Sequence, residues 1–166
     1  MEVGYRVMIM DRNTIKTALL SMGVFCALLL SGCKKDSPSA AETISGEWHL
    51  VSFEGQTPKD FDAYLALGAD GTFVLWQKVQ APRWQKYAGT YTADWETIEG
   101  EYSDGTAWGC RYGYVYDNNS GRLILSSIGD VSETQEYLRQ AVPEEVKEST
   151  EPVTRGSVGN CPPRLL

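Results

Sequence analysis

Between residues 44 and 142 apolar and polar side chains alternate with a period of two, and clusters of Gly, Asp and Asn interrupt the alternation at short intervals. Successive side chains of a strand point to opposite faces, so this pattern predicts half-buried strands joined by tight turns. In Glu47–Phe53, Trp48 and Leu50 share one face, with Glu47 and His49 on the other. Further strands are predicted at Ala63–Leu67, Thr72–Lys78, Tyr87–Trp95, Thr97–Tyr102, Cys110–Tyr116, Arg122–Ser127 and Glu133–Gln140. The strand Cys110–Tyr116 puts Cys110, Tyr112, Tyr114 and Tyr116 on one face. Asp70-Gly71, Asp104-Gly105 and Asp117–Gly121 supply turn residues. Thr57 and Pro58 suggest a single helical turn over Pro58–Asp62, and Pro82 makes Val79–Gln85 a loop or a frayed edge. Neighbouring strands in sequence tend to pair. The expected fold is therefore all-β: an eight-stranded antiparallel up-and-down barrel, whose closure leaves no open edge.

The flanks differ in character. Arg12 and Lys16 precede Ala18–Leu30, an uncharged and mostly apolar run too short for a comfortable membrane span but suited to the apolar part of a signal peptide. Met8 and Met10 are alternative starts. Leu30-Ser31-Gly32-Cys33 resembles the lipobox of bacterial lipoproteins. That resemblance implies cleavage before Cys33 and lipid attachment to its thiol and new amine, a stable anchor because several acyl chains act together. Residues 1–32 would then be the signal peptide and 33–43 a polar tether, disordered over Lys34–Thr43. With Lys34, not Asp, after the anchor, the same resemblance points to the outer membrane, with the membrane face left open. Within 143–166, Pro143–Thr150 suits a short acidic helix and Glu151–Leu166 a loose tail.

Charge narrows the partners. The chain carries −7, and losing the three cations and two anions of Met1–Gly32 leaves −8. Such a surface repels phosphate backbones, so nucleic acid is not expected as a partner. Catalytic chemistry also lacks support. His49 is the sole histidine and should point away from Trp48, which leaves no Ser-His pair and no metal-ligand set. Glu99 and Glu101 share a strand face, the ordinary pattern of a wet surface. No enzyme, cofactor or metal is expected. An exported compartment permits a disulfide between Cys110 and Cys161; a buried free Cys110 with a dangling Cys161 is the other arrangement.

Ser45-Gly46-Glu47-Trp48 resembles the Gly-x-Trp opening of the lipocalin superfamily, and Asp70-Gly71-Thr72-Phe73 resembles a segment of its small bacterial lipoprotein branch. The likeness spans Ile44 to Gln140. It implies that Trp48 plugs the closed end of the barrel and that Arg139, near the last strand, packs across it. The usual Thr-Asp-Tyr turn is absent, with Tyr116-Asp117-Asn118 in its place, and the long helix after the last strand is missing or reduced to Pro143–Thr150. Leu65, Leu67, Phe73, Leu75, Tyr91, Tyr112, Tyr114, Leu123 and Leu125 fall on the inward face. They suit either a cup for a small apolar or amphipathic molecule or a dry core. Trp76, Trp84, Trp95 and Trp108 are expected to be partly exposed. The function expected is a membrane-anchored, lipocalin-like binding protein. The alternative is a non-catalytic envelope interaction module with a filled barrel.

Overall fold

The computed structural model describes residues 37–79, 82–129, 132–148, 151–152 and 164–166. The expected signal peptide and Cys33 lie outside them. Eight strands follow one another: β1 (Gly46–Phe53), β2 (Phe61–Leu67), β3 (Thr72–Val79), β4 (Gln85–Ala93), β5 (Thr97–Tyr102), β6 (Arg111–Asp117), β7 (Arg122–Ile128) and β8 (Thr134–Arg139). Each pairs antiparallel with the next, and β8 pairs back with β1 through Trp48↔Arg139 to Phe53↔Gln135. The result is a closed up-and-down barrel. The turns that the sequence marked do the joining: Asp70 Oδ1 accepts the Thr72 amide at 3.0 Å, and Asp117 Oδ1 accepts the Asn119 amide at 2.9 Å.

Four local expectations are corrected. Pro58–Asp62 does not form a helical turn, because β2 starts at Phe61, whose ring meets Phe53 edge-on at 5.4 Å. The end of the expected tether is folded as α1 (Ala40–Ile44). Ser39 and Glu42 there form a reciprocal capping box, which satisfies amides that a short helix otherwise leaves bare. Ile44 is fully buried in the barrel core, and that apolar anchor holds the turn. The expected loose tail carries structure at both ends. Glu151–Pro152 adds a short parallel strand, β9, to Gln85 and Lys86 of β4, while Leu166 is buried in the barrel. Finally, Trp76 and Trp108 are buried, whereas Trp95 is 65% exposed.

Two apolar regions hold the barrel. Inside, β1 to β8 all contribute to one packed cluster that includes Trp48, Leu50, Ala63, Ile98 and Tyr137. Outside, Tyr64 and Trp76 are covered by Val142 and by Val146 of α2 (Glu144–Glu148). Glu47 fastens that cover, accepting the Val142 amide at 2.7 Å and lying 3.4 Å from Lys147 Nζ. The short acidic helix expected after β8 is thus present and packs on the outer wall.

Candidate binding site at the barrel mouth

The register sets two unlike ends. At the base lie the start of β1, the end of β2, the start of β3, the end of β4 and the end of β8. Trp48 sits there, fully buried, with its indole N–H donated to the Ile44 carbonyl at 3.1 Å. The Arg139 guanidinium lies 4.4 Å above the Trp48 ring and 5.7 Å from Tyr116, donating to the Ser45 carbonyl at 3.0 Å. Gly46 is required beneath it: its φ is +147°, and a Cβ at that position would collide with the guanidinium. A cation over an indole contributes about 0.5–2 kcal/mol. Tyr91 closes the rest of the base, its hydroxyl donating to the Gly68 carbonyl at 2.8 Å, and burial pushes its pKa up to about 12.

The inward-facing residues converge as their phase requires. Leu65, Leu67, Phe73, Leu75, Tyr91, Tyr112, Leu123 and Leu125 are all buried in the one cluster; Tyr114 packs against it and donates to the Asp94 carbonyl at 2.6 Å. These side chains bury one another in a single apolar cluster. Aromatic bulk is the cause. Phe73 alone meets Tyr102 at 5.5 Å and Trp108 at 5.1 Å, both edge-on, and Tyr137 is fully buried among the same cluster.

The mouth is built differently. Gln77 of β3 and Gln135 of β8 are the buried polar residues of the described chain, each with no exposed surface. Burying an amide is costly unless it is hydrogen-bonded. Here both amides meet Arg164–Leu166. Gln77 Oε1 accepts the Leu165 amide at 3.1 Å, and Gln135 Nε2 donates to the Leu165 carbonyl at 2.8 Å. Gln135 also accepts from the Tyr137 hydroxyl, so the polar layer reaches down into the core. Tyr102 donates to the Leu166 main-chain oxygen at 2.7 Å, and Tyr112 reaches the Leu165 carbonyl at 3.4 Å. At the rim Arg164 pairs with Asp104, and its guanidinium lies 4.3 Å from the Tyr102 ring and 5.1 Å from Tyr87. The paired guanidinium holds the Asp104 carboxyl well below the usual carboxylate range. Burial pushes the phenols of Tyr102, Tyr112 and Tyr137 well above the usual range, so they act as neutral donors. Beside the inserted residues a cleft of about 530 Å³ runs between Cys110, Tyr112, Ser127, Glu133 and Leu165.

The other residues named from sequence lie elsewhere. His49 stacks on Tyr64 at 4.5 Å and contacts Asp62 at 2.8 Å on the outer wall, half-buried. Glu99 and Glu101 flank an open cleft of about 430 Å³ between β5 and β6, together with Arg111 and Trp108. Among the described residues no three His, Cys, Asp or Glu side chains gather as metal ligands. Cys110 is a free thiol within hydrogen-bonding reach of the Tyr112 hydroxyl, and Cys161, its expected disulfide partner, lies outside the described residues. Sequence reasoning missed Gln77, Gln135, Asp104 and Arg164–Leu166. The glutamines did carry a signal, since each occupies an inward phase: Gln77 two residues after Leu75, Gln135 two before Tyr137. No protein-family model matches the chain, and no curated protein matches it.

Proposed function

We propose that this chain is a lipid-anchored, lipocalin-like protein of the bacterial envelope, without catalytic activity, whose barrel binds an amphipathic molecule at its mouth. The observation that carries the binding reading is the pair of fully buried glutamines, Gln77 and Gln135, held in an apolar setting to meet a polar main chain. A barrel end meant only to be closed has a simpler solution in apolar side chains. Below that layer the interior is filled by Phe73, Leu75, Tyr137 and their neighbours, so the ligand sits above the core instead of deep within it. The lipid anchor rests on sequence alone: Arg12 and Lys16, the apolar run Ala18–Leu30, the motif Leu30-Ser31-Gly32-Cys33 and the polar stretch after it.

Two measurements test this reading. The full protein, extracted gently in detergent from its own host, should carry a small-molecule or peptide adduct by native mass spectrometry, and denaturation should remove it. Its mature amino terminus should be an acylated Cys33. Blocking the lipoprotein signal peptidase should leave the precursor uncut; continued cutting overturns the anchor. The filled interior also favours a second reading, an interaction module. Its natural contact surface would include Trp95 and Val115, which are 65% and 64% exposed.

A further inference from the structure

The chemistry of what now occupies the mouth narrows the ligand. Arg164–Leu166 meets five kinds of complementary surface in order. Asp104 supplies a carboxylate to the cation, and the faces of Tyr87 and Tyr102 bracket the guanidinium at 5.1 and 4.3 Å. Gln77 and Gln135 read the N–H and C=O of the middle residue from opposite strands, β3 and β8. Tyr102 holds the next main-chain oxygen. The Leu166 side chain enters the packed cluster, 3% exposed. Hydrogen bonds to main chain are indifferent to side-chain identity, whereas the carboxylate and the apolar slot are selective. That division of labour is the one used by peptide-recognition sites.

We propose that the mouth is a peptide-binding site for an extended basic–aliphatic–aliphatic segment offered by a partner protein, with Arg164–Leu166 as its occupant in cis. This deepens the binding reading above and rests on it. The residues in cis are tethered, so their effective concentration is on the order of millimolar. A partner segment at micromolar concentration therefore gains access only when the cis segment is weakened or outcompeted. Asp104 at the rim is the selector: it favours a cation at the first position and rejects an anion there.

The test uses the full chain carrying Arg164→Ser and Leu166→Ser, which removes both side-chain anchors and leaves the barrel strands untouched. A fluorescent peptide of sequence Pro-Pro-Arg-Leu-Leu is titrated and followed by anisotropy. Binding at least tenfold tighter than to the unaltered chain is expected, with a further tenfold loss when the peptide's Arg is Glu. Added Gln77→Leu should weaken it again. A fluorescent fatty acid is titrated in parallel. Uptake of the fatty acid but not the peptide overturns the peptide proposal and leaves the binding reading standing; uptake of neither overturns both. Light scattering assigns the source: a concentration-dependent dimer of the unaltered chain would mean that copies exchange their own segments, which overturns a separate partner. If the double variant does not fold, hydrogen exchange on the unaltered chain decides. The Leu165 amide should exchange at least 100-fold faster than Leu75 and Leu123, through local release. Exchange of all three at one rate, by global unfolding, would make Arg164–Leu166 an integral part of the core and overturn the proposal.

Discussion

At the base of the barrel a large apolar ring is roofed by a cation from the strand beside it; at the mouth a polar layer is roofed by three residues far away in sequence. Trp48 and Arg139 are directly paired across β1 and β8, so their contact comes with the sheet register. Gln77 and Leu165 are 88 positions apart and belong to no common ladder. The first arrangement forms whenever the barrel forms. The second requires a separate docking step, whose ordering cost is offset by hydrogen bonds, one ion pair and one buried leucine. A base of this kind should be permanent, and a mouth of this kind removable.

Substitutions can break that contrast or sharpen it. The largest effect is expected from Trp48→Ala, which empties a fully buried site and should cost about 3–5 kcal/mol in a denaturant titration. A loss below 1 kcal/mol would mean that the base is not the stability centre. Next comes Gln135→Leu. It strands the Tyr137 hydroxyl and leaves the Leu165 carbonyl only the longer contact with Tyr112 at 3.4 Å, and an unsatisfied buried group costs about 1–3 kcal/mol. Its signature should be faster exchange of the Leu165 amide with little change in the amides of β1. Arg164→Ala should follow at about 0.5–2 kcal/mol, removing the cation from the Tyr87 and Tyr102 faces. The barrel should keep its cooperative melt. Ser39→Ala removes the cap of α1 and should cost about 0.5–1 kcal/mol, seen as fraying near Ile44.

The smallest effect concerns acid. The Asp104 carboxyl is depressed by its Arg164 partner, so its contribution is complete above the ordinary aspartate range and is lost as pH falls through the lower folded value. Docking of Arg164–Leu166, read from the Leu165 amide, should be flat from neutral pH down to about pH 5 and weaken only in stronger acid. In Asp104→Asn this acid limb should disappear. A limb near pH 6 would implicate some group other than Asp104.

The same contrast explains what could be read beforehand. Period-two alternation and Asp-Gly turns decide strands and neighbours locally, so the barrel and the inward phase of Leu65, Phe73, Tyr112 and Leu125 were legible. The place of Arg139 over Trp48 followed from a resemblance carried by the first and last strands, which meet at the base. Arg164–Leu166 offered no such handle: three residues after Pro162-Pro163 have no period, and their place depends on glutamines that a hydropathy pattern scores simply as polar. Thr57-Pro58 misled because a good helix start is a weak preference beside the pairing of Phe61 with Val79. Ile44 was the clue that the polar stretch before β1 folds, since an isolated apolar residue next to a capping box has somewhere to go.

One further feature bears on how such a barrel yields. β5 and β6 pair only at Thr97↔Gly113 and Ile98↔Tyr112, whereas β6 and β7 are zipped from Arg111↔Ile128 to Asp117↔Arg122. The rest of β5 bonds instead to its own following turn, with the Trp108 amide donated to the Gly100 carbonyl at 2.8 Å. Mechanically, a ring under radial load parts at its shortest join. Force applied across the barrel, or thermal breathing of its wall, should first slit it lengthwise between β5 and β6. That would uncover Trp108, whose indole N–H has no acceptor among the described residues, and a rise in its quenching by a small solute would be the earliest optical sign of that slit.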